Sequence, residues 1–95
     1  MSQQVTVITH PADADLEFGR IEWQNGLMRD VGRNGAFVEE VIQVAIDRIQ
    51  ERNVGAFACR ENSLAITKLE EALHWLNHRT ERRRNEGTLD TYKGP

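Results

Sequence analysis

The chain has a single cysteine, Cys59, among 95 residues. That excludes an intrachain disulfide and fits a reducing cytoplasm. No hydrophobic run approaches the roughly 20 residues that span a bilayer. The first residues lack the charged-then-apolar layout of a secretory signal. Basic charge is not in excess: 12 Lys and Arg stand against 15 Asp and Glu, a formal net charge of −3. The molecule as a whole is therefore no general nucleic-acid binder. The sequence has no Gly-rich loop followed by Lys-Ser/Thr, no nucleophile elbow and no Cys-x-x-Cys. Positive evidence for catalysis is missing. An enzyme would have to assemble its site across subunits from arginines, histidines and glutamates.

What the chain does have is concentrated in one stretch, residues 59–88 (CRENSLAITKLEEALHWLNHRTERRRNEGT). Ala65, Leu69, Ala72, Leu73 and Leu76 recur at helical spacing, with Leu64 and Ile66 widening the face. The same side continues as Arg79 and Arg83, with Trp75 and Arg82 beside them, while Arg84 points elsewhere. Residues 79–85 hold four arginines against one glutamate. Two readings are open. Cations are welcome at a helix C-terminus, so the arginines are solvated and dipole-stabilised. Alternatively they form an anion site, in which guanidinium groups grip phosphate and an indole face stacks a base.

The rest of the chain reads in order as follows. Residues 1–4 are a ragged tail. Residues 5–9 (VTVIT) are β-branched and read as a short strand. Residues 10–15 carry a proline and two aspartates and read as a loop. Residues 18–24 alternate, and Asn25-Gly26 is a strong hairpin signal because a type I′ turn needs positive φ at both central residues. Residues 27–31 would then return, pairing Trp23 with Met28 and Glu22 with Arg29. After Gly32-Arg33-Asn34-Gly35, a first helix is expected over residues 37–52. Its apolar face is Val38, Val41, Ile42, Ala45, Ile46 and Ile49, with Asn34, Glu39 and Glu40 suiting its start. Ala56-Phe57-Ala58 connects it to a second helix beginning near Arg60 or Glu61. Gly87 stops that helix, and residues 88–95 form a polar tail.

The expected fold is α+β. One small domain over residues 1–95 has a β-rich part (5–31), built from an N-terminal β-hairpin with a further short strand. A long antiparallel αα-hairpin (37–87) follows. Helix two overhangs helix one by about 10–15 Å at 1.5 Å per residue. Val44, Leu64, Ile66 and Leu73 exceed what one helix–helix contact covers, so a homo-oligomer is expected, with Phe57 reaching a neighbour.

Smaller features have plain alternatives. His74 and His78 have metal-pair spacing, and Glu71 lies a turn earlier, but no third strong ligand is placed; they read as surface histidines or as part of the arginine site. Cys59 reads as a small buried hydrophobe rather than a reactive thiolate. Glu70 and Glu71 are adjacent, point to different sides and are not a catalytic pair. Asn62 and Ser63 are caps or ligand contacts at the start of helix two, the cap being the simpler account of Ser63.

An ordered series of segments carries a resemblance. It runs Trp23-Gln24-Asn25-Gly26, Val31-Gly32-Arg33-Asn34-Gly35, Phe57-Ala58-Cys59-Arg60-Glu61-Asn62, Ile66-Thr67-Lys68-Leu69-Glu70-Glu71-Ala72, Trp75-Leu76-Asn77 with Arg79-Thr80, and Glu86-Gly87-Thr88. Over residues 22–88 the chain resembles the phage Thoeris anti-defence sponges of the first type. Their helical hairpin is similar to that of the phage anti-CBASS cyclic-oligonucleotide sponges. The resemblance implies a non-catalytic oligomer, typically a hexamer, with pockets between subunits and no cofactor. It would act in the host bacterial cytoplasm and sequester a cyclic ADP-ribose isomer, with cyclic di- or trinucleotides as a second ligand class in some members. It further implies that Arg79 and Arg83 match the family's ligand-binding arginine pair, and Phe57 and Asn62 its aromatic and asparagine. Trp75 is added here as a stacking surface. Leu27 stands where the family often has proline, and residues 1–20 go beyond its usual short N-terminus. The competing expectations are a small oligomeric nucleic-acid-binding or structural protein using the cluster from Arg79 to Arg84, and an oligomeric nucleotide hydrolase.

Overall fold

The computed structural model describes residues 12–95. They divide into two units, one ending at Ala36 and one starting at Phe37. The strand expected over residues 5–9 lies outside the described residues.

The first unit holds an antiparallel hairpin of β1 (Ala14–Leu16) and β2 (Gly19–Ile21), paired Ala14 to Ile21, Asp15 to Arg20 and Leu16 to Gly19. A β-hairpin is therefore present, but not at Asn25-Gly26. Part of the expected loop is a strand, and Glu17 and Phe18 make the turn. Arg20 ties the strands together, its guanidinium facing Asp13, Asp15 and Glu22. Its hydrogen bond to Asp15 raises the guanidinium pKa. The side chain of Asp13 is almost wholly buried, and its carboxylate accepts the Trp23 amide at 2.8 Å.

The expected return strand is instead a helical turn, α1 (Met28–Val31), so Trp23 does not pair with Met28, nor Glu22 with Arg29. Trp23 forms a parallel bridge with Ala36. The turn signal was real in part. Gly26 does have positive φ (94°). Asn25, however, spends its backbone on Asn34: its N–H donates to Asn34 Oδ1 and its carbonyl accepts from Asn34 Nδ2, both at 2.8 Å. Gln24 completes the zip. Its Oε1 accepts the N–H groups of Asn34 (2.8 Å) and Gly35 (3.2 Å), and its Nε2 donates to the Gly32 carbonyl (2.7 Å). Gly35 lies so close to the Trp23 carbonyl that a Cβ there would collide with backbone. Leu27 has φ −76°, a value proline also adopts.

The second unit is a helical hairpin of α2 (Val38–Arg52) and α3 (Arg60–Glu86), which pack on each other. Both fall where the hydrophobic periodicity put them. Glu40 closes the start of α2 by accepting the Phe37 N–H at 2.9 Å. Asn34, expected there, is already committed to Asn25. On α2 the sheltered positions are Val41, Ile42, Ala45, Ile46 and Ile49, with Ile46 only 3% exposed and Val38 left open.

On α3 the sheltered line is Asn62, Ile66, Leu69, Leu73, Leu76, Thr80 and Arg83, in alternating steps of four and three. That is a 3.5-residue repeat, the seam of a coiled-coil pair. Ile66 and Leu73 belong to this seam rather than to a surplus face. Ala72, expected in the stripe, is exposed, and of the four side chains expected to be in surplus Val44 and Leu64 are the ones left exposed.

A 3₁₀ turn (Gly55–Phe57) joins the helices. Asn53 brackets it, with Oδ1 accepting the Cys59 N–H at 3.0 Å and Nδ2 donating to Ser63 Oγ at 3.2 Å. Ser63 is thus no N-cap: the cap position is Cys59, which is exposed rather than a buried hydrophobe. At the other end Gly87 takes φ 74°. Its N–H bonds the Arg84 carbonyl, and the Thr88 N–H bonds that of Arg83, which is a Schellman closure. With 27 residues in α3 against 15 in α2, the longer helix exceeds the shorter by about 18 Å.

Candidate functional site

The excess length of α3 carries the four arginines, and their surroundings separate them. Arg82 faces Glu86 one turn on, at 3.3 Å, and Arg84 pairs with Glu81. These two are neutralised on the helix surface. Arg79 is exposed and makes no hydrogen bond or ion pair among the described residues. Arg83 is the opposite case: the residue is only 6% exposed. Its guanidinium donates to the carbonyls of Lys93 (2.7 Å), Thr88 (2.7 Å) and Thr91 (3.3 Å), and no carboxylate among the described residues pairs with it. Arg79 and Arg83, one turn apart, therefore hold the two uncompensated charges of the cluster.

The periodicity put Trp75, Arg79, Arg82 and Arg83 side by side, and the structure divides that group. Arg83 continues the seam after Leu76 and Thr80, whereas Trp75 and Arg79 lie on open surface. Trp75 is 66% exposed and packs edge-on against His74 and His78, with ring centroids 5.5 and 5.8 Å away. Both histidines are taken up by this ring cluster. Among the described residues no group of three or more His, Cys, Asp or Glu is placed to hold a metal.

Phe57 and Asn62 sit at the opposite end of α3. Phe57 closes the 3₁₀ turn and is 73% exposed. Asn62, half-buried at the start of the seam, donates from Nδ2 to the Phe57 carbonyl at 3.4 Å. Asn62 and Phe57 are thus brought together, and Arg79 follows Trp75 by one helical turn. The two pairs are not brought together, because 17 residues of helix place Asn62 about 25 Å from Arg79.

Sequence reasoning missed the part played by residues 88–95. They are a folded segment whose carbonyls gather on Arg83, with Thr91 Oγ1 donating to the Thr88 carbonyl and accepting from the Lys93 N–H. The Gly-Thr pair after the helix announced only that the helix stops.

Two comparisons bear on this arrangement. The family model described as "Acb2/Tad1, hairpin domain" matches residues 15–81. The chain belongs to the Acb2/Tad1 hairpin family. The match covers the zipped loop, α2, α3 as far as Glu81 and four of the five candidate residues, Arg83 lying just past it. A curated relative, "Thoeris anti-defense 1" of Bacillus phage SBSphiJ7, is 40% identical over 92 residues, which cover 97% of this chain. The chain spans 62% of that relative's length. Within this Acb2/Tad1 chain, the uncompensated arginines sit near the C-terminal end of α3, the longer helix of the α2–α3 pair.

Proposed function

We propose that this chain is a phage anti-defence sponge, which sequesters a cyclic nucleotide immune signal in the host cytoplasm without reacting with it. The observation that carries this reading is the uncompensated pair Arg79 and Arg83, one turn apart, with the exposed Trp75 indole one turn before Arg79. A pyrophosphate-bearing cyclic ADP-ribose isomer matches that chemistry: arginines take the phosphates, and Trp75 or Phe57 takes the base. Asn62 supplies an amide for a ribose or base edge. Cyclic di- or trinucleotides offer the same anionic and stacking groups. Family membership and the anti-defence name of the relative support the same class.

The site is shared between copies. Arg79 and Asn62 of one chain are too far apart to meet around one small ligand, so the connector of a second copy must supply Phe57 and Asn62. Exposed Val44 and Leu64 provide apolar surface for such an assembly, taken here as a homohexamer. A nucleic-acid-binding role is less well supported. Arg82 and Arg84 already have carboxylate partners, which leaves two adjacent charges rather than a track for a polyanion.

The deciding experiment incubates the purified protein with cyclic ADP-ribose isomers and with cyclic di- and trinucleotides. The protein is then heat-denatured and the released species identified by mass spectrometry. Intact ligand is expected. A cleaved product would make the protein a nucleotide hydrolase, and no capture would remove the sponge reading. Arg79→Ala is expected to weaken capture on the order of a hundredfold with the helices intact. Tight binding retained by a folded Arg79→Ala, Arg83→Ala double variant would overturn the site.

A further inference from the structure

We infer that residues 88–95 form a strap that occupies Arg83 and must lift before the arginine pair can grip an anion. This rests on the sponge reading and adds regulation to the same site. Guanidinium binds phosphate through two neighbouring N–H groups on one edge. Nη2 belongs to both two-nitrogen edges, and both of its hydrogens are spent, on the Thr88 carbonyl at 2.7 Å and the Thr91 carbonyl at 3.3 Å. Nη1 is committed to Lys93 at 2.7 Å. No free edge remains, and the residue is 6% exposed.

The electrostatics make the strap a replaceable partner. Every acceptor on Arg83 is a neutral carbonyl, while Arg82 and Arg84 each face a carboxylate. A buried cation held only by dipoles keeps its net charge and gains from exchanging them for an anion. The strap also has its own catch. The Thr91 hydroxyl donates to the Thr88 carbonyl and accepts the Lys93 N–H at 3.2 Å, which fixes the curve that aims the three carbonyls inward. Apparent affinity through Arg83 is then the intrinsic affinity multiplied by the fraction of molecules with the strap open, and anything that raises that fraction raises it in proportion.

The test compares the full chain, a chain ending at Gly87, and Thr91→Val, which removes the catch and keeps the β-branched shape. Each is checked for helicity and assembly, then mixed with cyclic ADP-ribose in a stopped-flow binding experiment. The association rate is expected to rise about tenfold on truncation and less for Thr91→Val. Arg83→Ala is expected to remove that difference. Hydrogen exchange supplies a second readout that does not depend on the truncated chain folding: the Thr88 and Leu89 amides of the full chain should exchange faster when ligand is bound. Unchanged rates in the variants, or amides that stay protected with ligand bound, overturn the strap while leaving the sponge reading in place. Capture that survives loss of both Arg79 and Arg83, or no capture by any variant, overturns the sponge reading and the strap with it.

Discussion

The two units hold their shape by opposite means. In the first, beyond the short β1–β2 ladder, side chains do the work that a regular sheet would do. Gln24 alone serves two backbone N–H groups and a carbonyl, and Asn25 and Asn34 clasp each other through amide and backbone. In the second, the helices satisfy their own backbones, and a 3.5-residue seam of Ile66, Leu69, Leu73 and Leu76 packs against α2. A polar zip is specific but depends on a few atoms in place. An apolar seam tolerates substitution but depends on volume. The candidate site uses the second kind of support, because a helix longer than its partner carries Trp75, Arg79 and Arg83 at fixed steps.

The seam is the place to expect the largest loss. Ile46 is 3% exposed, and Ile46→Ala leaves a cavity under both helices. The expected cost is about 3 kcal/mol. Thermal denaturation followed by helical ellipticity should show Tm falling by about 15 °C. A fall below about 5 °C would mean that the hairpin is held mainly by contacts outside the α2–α3 seam.

Next in size is the zip. Gly35→Ala sets a Cβ against the Trp23 carbonyl, and neither partner is a flexible side chain that can step aside. The cost is expected near 2 kcal/mol, the range of overpacking. Its location is the sharper part of the prediction. Trp23 fluorescence should change, with helical ellipticity held at 25 °C. Equal loss of both signals would mean that the two units unfold as one.

These two regions also differ in how legible they were. The helices could be read because burial imposes a period on sequence, and α2 and α3 start and stop where apolar spacing and Gly87 put them. The first unit imposes no period. Asn25-Gly26 carries the same letters whether the chain returns as a strand or turns into α1, and the choice is made by Asn34, nine residues on. The site was legible as residue types on one helix but not as environments. Nothing in the run RTERRR distinguishes the cation facing Glu86 from the one folded under residues 88–95. That difference lies in which side of the seam each falls on and in the path of the chain beyond Gly87.

The smallest expected effect has the opposite sign. Cys59 occupies the N-cap of α3 with extended backbone (φ −152°, ψ 159°), yet its side chain makes no capping hydrogen bond. Serine differs by one atom and is among the best capping residues, so Cys59→Ser adds to the packed hairpin the kind of side-chain lock that the zipped loop already uses. A gain of about 1 kcal/mol is expected, seen as a higher midpoint in urea with unchanged slope. The thiol is exposed at the end of the connector that presents Phe57 and Asn62, so the same variant tests whether that end works through shape alone. Stabilisation with unaltered ligand capture assigns Cys59 to the backbone turn. Stabilisation with weakened capture would place the sulfur within the shared site, beside Phe57.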